Sequence, residues 1–308
     1  MKIAFFGLPL AAIALASDGH DIVWAGIGRA GASGARRLAR RIGGARVHVV
    51  PDASGDETMR DVRDAHPDLI VSWFFTKKIP PRILRVAPSF GVHPSLLPRH
   101  RGPDPYFWAI DAGDATTGVT AHGLDAEYDT GPILAQRTLP LDPSWNAWRL
   151  ARALDRPSLA LLREVARAFA DGRPPGPRAQ DERDATQAPE PTDDDLALRW
   201  SWPAHRIERR VRAAAPWPGA WTEIGGRIVT LLAVRATHDF PRALAPGEAA
   251  VRADGIAVVR AGDDAVELTA GRSDSDEPLS AANLAESVER ARTLAIVPGA
   301  ASSFDKMM

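Results

Sequence analysis

Two residues of this 308-residue chain, His93 and Asp129, have the types and the setting to move a proton. His93 closes the run Phe90-Gly91-Val92-His93, where an apolar strand gives way to prolines. Asp129 opens an Asp-Thr-Gly turn just after a second strand, read over Gly118–Leu124. An imidazole titrates near neutrality, and a carboxylate brought to it from another strand end can orient it and balance its charged form. Arg99 and Arg101 lie between them in a proline-bounded loop and suit contacts with an anionic substrate. The plain alternative is a strand-end histidine and a turn aspartate, each satisfied by neighbouring backbone.

Composition narrows the classes. A net charge of −1 gives no global pull toward nucleic acid or an anionic membrane, so a polyanion site must be a local patch. One stretch qualifies. Arg29, Arg36, Arg37, Arg40, Arg41 and Arg46 crowd the segment between Asp21 and Asp52, which contains no acidic residue. It reads either as a solvated helix face or as a surface that docks on phosphates. The absence of cysteine excludes disulfides, thiolate metal sites and thiol nucleophiles. The eight histidines are scattered without ligand spacing, so no metal is expected.

The elements that must position the pair alternate in type. Lys2–Phe6 reads as a buried strand and Gly7-Leu8-Pro9 as a turn, followed by a short apolar helix ending near Gly19 and a strand over Asp21–Gly26. The same N-terminal run, with its Ala14-Leu15-Ala16-Ser17, also fits a cleavable leader. The β-α-β reading accounts for more residues, and a cytoplasmic location is expected. Gly26, Gly28 and Gly31 match the spacing of a dinucleotide fingerprint, but they follow the second strand, whereas the fingerprint belongs after the first. Val47–Pro51 and Asp68–Phe74 are further strands, and the segment 146–170 is an amphipathic helix with Pro157 inside it. Strands alternating with helices predict a mainly parallel, Rossmann-like α/β sheet with ligands at the carboxyl ends of its strands. Residues 171–195 hold five prolines and almost nothing apolar, and read as a linker. Beyond them a helix over about Ala204–Ala215, a Pro-Trp-Pro-Gly turn, several short strands and a last helix over Ala281–Leu294 predict a small OB-like β-barrel domain. The expected division is therefore 1–170, 171–195 and 196–308, in a monomer.

These motifs resemble the folate-dependent formyltransferases, with the branch acting on methionyl-tRNA the nearest. The likeness rests on His93-Pro-Ser-Leu-Leu-Pro98, Arg101-Gly102, Pro105, Ala109-Ile110, Gly113-Asp114, Thr117-Gly118-Val119-Thr120 and Asp129-Thr130-Gly131-Pro132-Ile133. It continues in the second domain through Trp202, Arg212-Ala213 and Pro216-Trp217-Pro218-Gly219-Ala220. The resemblance implies transfer of the formyl group of 10-formyltetrahydrofolate to an amine. His93 would carry the proton and Asp129 would orient it. The folate pocket would lie between Phe75, Thr76, Lys77 and Ile79 on one side and Leu124, Asp125, Ala126 and Tyr128 on the other. A tRNA acceptor would meet Arg29, Arg36, Arg37, Arg99 and Arg101.

One position departs from the family pattern of Asn-x-His. Here the tripeptide is Gly91-Val92-His93, so the side chain that aims a donor at the oxyanion is missing. Losing such a donor costs about 10²–10³ in rate. His100, His122 or a water admitted by Gly91 are the substitutes the sequence offers. Acceptors also stay open. From Leu196 onward 14 Arg and Lys meet 14 Asp and Glu, so the second domain is not basic, and a small amine such as an amino sugar nucleotide or siderophore precursor rivals tRNA. A folate-binding relative with little turnover is the third reading.

Overall fold

Seven strands form the first sheet, in the order β3-β2-β1-β4-β5-β6-β7 in a computed structural model that describes residues 1–296, with side chains through Ala291. They are β1 (Lys2–Gly7), β2 (Asp21–Ile27), β3 (Val47–Val49), β4 (Leu69–Trp73), β5 (Ser89–His93), β6 (Thr116–Gly123) and β7 (Ile133–Pro140). The first four pairings, from β3 to β5, are parallel and the last two are antiparallel, so the sheet is mainly parallel, as the alternation predicts. The helices between and after them are α1 (Pro9–Ser17), α2 (Ala35–Ile42), α3 (Asp56–Asp64), α4 (Pro81–Leu84), α5 (Pro105–Ala112) and α6 (Ala147–Ala170).

Burial explains the strand compositions. β1 and β4 read as continuous apolar runs because both faces are covered, with Ile3, Phe5, Phe6, Leu69 and Ile70 wholly buried. On one face Ala4, Phe6, Trp24, Ile70 and Ile83 form a cluster, with Phe75 and Leu124 packed against it. Gly7 ends β1 at φ +131, where a Cβ would stand 1.8 Å from the Trp73 carbonyl oxygen, so only glycine lets β1 turn beside β4.

Contacts divide the chain into two compact units. The first comprises Met1–Ala109, Ala115–Pro143 and Arg149–Glu190, and the second Ile110–Asp114, Ser144–Trp148 and the residues from Pro191 onward. The segment 171–190, expected as a linker, therefore belongs with the first unit. Its backbone is paired there: Ile133 and Arg178 exchange both bonds, Arg101 donates to the Thr186 carbonyl, and Ala188 donates to that of Arg101. Its prolines leave the intervening N–H groups free to bond, so low apolar content did not mean a loose chain.

Two elements escape the sequence reading. The segment 105–112 is helical, not loop: Pro105 suits its first turn and the Asp104 carboxylate caps it by accepting from the Phe107 N–H at 3.1 Å. Its run of five aromatic or apolar residues, Tyr106–Ile110, is unbroken, so no periodicity marks it. β7 also runs on past the Asp-Thr-Gly turn as a full edge strand.

The second unit has α7 (Asp193–Leu196), α8 (Ala204–Ala214) and α9 (Ala281–Ile296) around a six-stranded antiparallel sheet. Its strands are β8 (Ala220–Ile224), β9 (Arg227–Thr237), β10 (Ala249–Val251), β11 (Ala257–Arg260), β12 (Ala265–Ser273) and β13 (Pro278–Ser280), in the order β10-β11-β12-β9-β8 with β13 on β12. Register shifts near Ala270 curl β12 against β9 and give a half-barrel. The last twelve residues of the expected 196–308 domain lie outside the described residues. Among the described residues no helix is long and apolar enough to cross a membrane.

Candidate active site

β5 delivers His93 to the carboxyl end of the sheet, between parallel β4 and antiparallel β6, where a cleft of about 500 Å³ opens. Only 6% of His93 is exposed. Its Nε2–H donates to the His100 carbonyl at 2.7 Å. A carbonyl can only accept, so in the neutral ring this bond fixes the proton on Nε2 and leaves the lone pair on Nδ1. Nδ1 stands 3.4 Å from Asp129 Oδ2. A proton arriving at Nδ1 therefore meets a carboxylate, which is the geometry of a general base with its orienting acid. The structure brings the two residues together.

Asp129 holds its place in an unusual backbone state. Its φ is +59, in the left-handed region that costs most side chains energy and that Asp and Asn tolerate best. The Gly102 N–H donates to its Oδ2 at 2.9 Å. Gly102 is itself at φ +122, and a Cβ there would sit 2.8 Å from the Ala188 carbonyl oxygen, so the Arg-Gly step is needed for this approach. Gly131 closes the same turn, with a Cβ excluded by the Gly123 oxygen at 1.9 Å.

A second imidazole shares the carboxylate. His122, on β6 and 3% exposed, lies with Nε2 3.5 Å from Asp129 Oδ1, while its Nδ1–H donates to the Gly123 carbonyl at 2.9 Å. Burial pushes its pKa down and the nearby His93 ring acts in the same direction, against the upward pull of Asp129. Its Nδ1–H is already spent on the Gly123 carbonyl.

The segment 171–190 clamps this arrangement. Gln180 Nε2 donates to both the Asp129 and Gly131 carbonyls at 2.7 Å. Gln180 Oε1 in turn accepts from Arg101, whose guanidinium also binds both oxygens of Glu182. Arg101 is 3% exposed and engaged throughout, so the expected acceptor contact at this residue is corrected: it organises the clamp and does not face an incoming substrate. Sequence reading missed Gln180 and Glu182 because the segment offered no periodicity to mark them. Gln180→Ala removes two bonds to the Asp129 turn and is expected to lower kcat about tenfold with little change in donor KM, as read by steady-state transfer kinetics.

The other expected residues fall as follows. Phe75, Thr76, Lys77, Ile79, Leu124, Asp125 and Tyr128 line the cleft; Ala126 sits in the same loop, exposed and off the wall. Lys78 and Glu127 pair at 2.8 Å across the cleft's two flanking loops. Tyr106, on α5, also lines it, and burial pushes its phenol pKa up, helped by Asp155 and Asp104. Arg29, Arg36 and Arg37 are exposed around the start of α2, and none has a side-chain partner among the described residues; Arg99 is exposed in the loop after β5. Arg46, by contrast, is tied to Asp21 at 2.6 Å. Among the described residues no cluster of His, Asp and Glu is arranged to hold a metal ion.

Comparison with known proteins gives these features a context. Residues 44–165 match the family Formyl transferase and residues 192–289 the family Formyl transferase, C-terminal domain. A methionyl-tRNA formyltransferase of Roseiflexus sp. (strain RS-1) is 35% identical over 305 residues, covering 92% of this chain and 91% of its own. That of Anaeromyxobacter dehalogenans (strain 2CP-C) is 35% identical over 309 residues, covering 95% and 98%. Among solved structures, HypX from Aquifex aeolicus in complex with tetrahydrofolic acid superposes with a TM-score of 0.62 at 23% identity. The match covers 92% of this chain and about half (46%) of HypX. An N-formyltransferase from Helicobacter canadensis in complex with folinic acid and dTDP-3-aminofucose gives 0.62 at 13% identity, over 87% and 98%. These two likenesses speak for the fold.

Proposed function

Because this chain belongs to the formyltransferase family, we propose that it moves the formyl group of 10-formyltetrahydrofolate onto the amino group of methionyl-tRNA. The observation that carries the chemistry is the His93–Asp129 contact at 3.4 Å inside a cleft large enough for a pterin. The acceptor amine attacks the formyl carbon, His93 Nδ1 takes the proton it sheds, and Asp129 balances the imidazolium. The proton then passes to the folate nitrogen as the C–N bond to the donor breaks. The donor's ring lies between the loops of Phe75–Ile79 and Leu124–Tyr128. Residues 1–170, with the clamp of 171–190, carry the transfer.

Likeness over nine-tenths of both chains to relatives named for methionyl-tRNA supports that acceptor, as do the unpartnered Arg29, Arg36 and Arg37. A smaller amine is the second reading. It is favoured by the charge balance of the C-terminal residues and by the loss of Arg101 from the accessible surface. The deciding experiment is a transfer assay with 10-formyltetrahydrofolate, charged initiator tRNA and a panel of small amines. For tRNA, the double charge reversal Arg36→Glu/Arg37→Glu is expected to raise the acceptor KM about 10- to 100-fold at low salt and to flatten its salt dependence by nearly two contacts. Transfer to a small amine that ignores both salt and these substitutions would establish the second reading. Donor binding without transfer to any amine would establish a folate-binding protein.

A further inference from the structure

The departure at Gly91 leaves the transition state without its side-chain donor, and the structure narrows what replaces it. His100 does not line the cleft, and its carbonyl serves His93. His122 does line it, but its one N–H is bonded to Gly123 and its other nitrogen faces Asp129. Neither ring offers the cleft a donor.

Ser72 does. It lies on β4 directly across the parallel ladder from Gly91, in the pairing Ser72↔Gly91. A Cβ built on Gly91 would stand 3.6 Å from Ser72 Cβ, so the two positions project on one face of the sheet. Gly91 and His93, two residues apart on β5, share that face, and Ser72, Gly91 and His93 all line the cleft. Ser72 is half-buried on a rigid interior strand, and its hydroxyl makes no hydrogen bond to the described residues. A hydroxyl next to the vacated asparagine position, beside the base and with its proton uncommitted, is set to answer a charge that develops there.

We infer that the Ser72 hydroxyl is the oxyanion donor of this site, doing from β4 what an asparagine at position 91 would do from β5. This rests on the formyl-transfer reading above. As the amine lone pair forms the new C–N bond, the carbonyl π pair moves onto oxygen, and Ser72 O–H donates to that oxygen. The amine proton goes to His93 Nδ1. When the pair returns to rebuild C=O, the bond to the folate nitrogen breaks and that nitrogen takes the proton. Ser72 ends as it began, neither deprotonated nor acylated.

The test uses the full chain with 10-formyltetrahydrofolate and methionyl-tRNA. Ser72→Ala is expected to lower kcat about 10²-fold with donor and acceptor KM each moving less than about threefold. Ser72→Thr, which keeps a hydroxyl on a side chain suited to a strand, should retain most of the rate. Gly91→Asn introduced into Ser72→Ala should raise that variant's rate at least about tenfold, by restoring a donor beside the base. Its new Cβ would need only a small shift of the Leu124 methyl, 3.1 Å away. Thermal melts separate a rate loss from a folding loss, and the Thr variant decides the matter if Ala unfolds. Native rates in Ser72→Ala, alongside an inactive His93→Asn, overturn the assignment and leave the transfer reading standing. Equal inactivity of the native chain and His93→Asn toward every amine overturns both.

Discussion

Replacing His93 with asparagine is expected to slow formyl transfer at least about 10³-fold while donor affinity stays within about threefold. The argument is one of bond inventory. His93 Nε2 is spent on the His100 carbonyl, which leaves Nδ1 as its only proton acceptor, and Nδ1 faces Asp129. An amide has no comparable basicity, so the ammonium formed on attack must release its proton to water, a far weaker base. The check is a single-turnover assay beside a fluorescence titration of the donor. A variant retaining more than about a tenth of the native rate would show that another group is the base.

Asp129→Asn should cost about 10²–10⁴ in kcat. The substitution is clean for two structural reasons. Asparagine tolerates the φ of +59 that most residues resist, so the turn survives. Its carbonyl oxygen can still accept the Gly102 N–H. What changes is charge: nothing balances an imidazolium on His93, and the new amide nitrogen, at the Oδ1 position, faces His122 Nε2 instead. In the double variant with His93→Asn the two losses should not multiply, since the pair works as one unit; a multiplied loss would mean they act separately. Rapid-quench measurement of transfer in all four proteins reads this directly.

How far the sequence disclosed this site depended on the kind of signal each residue sends. His93 and Asp129 were visible because proline-bounded and glycine-bounded motifs fix strand ends. The buried strands were legible as apolar runs, and α6 was read through Pro157 because its periodicity survives on both sides. α5 was invisible, since the unbroken aromatic and apolar run Tyr106–Ile110 shows no period. His122 was recorded only as one possible donor; its actual station, beside Asp129, depends on antiparallel register between β5 and β6, which no local pattern specifies. Arg101 was misjudged for the same reason. An arginine in a polar loop looks solvent-facing until a distant Gln180 and Glu182 fold over it.

That folding-over has a practical corollary. A fragment cut after Ala170, where the last long helix of the first unit ends, would look like a self-sufficient half. It would discard the amide that pins the Asp129 turn and strip the counter-charge from a guanidinium sealed inside. A half extended to Glu190 keeps both fastenings.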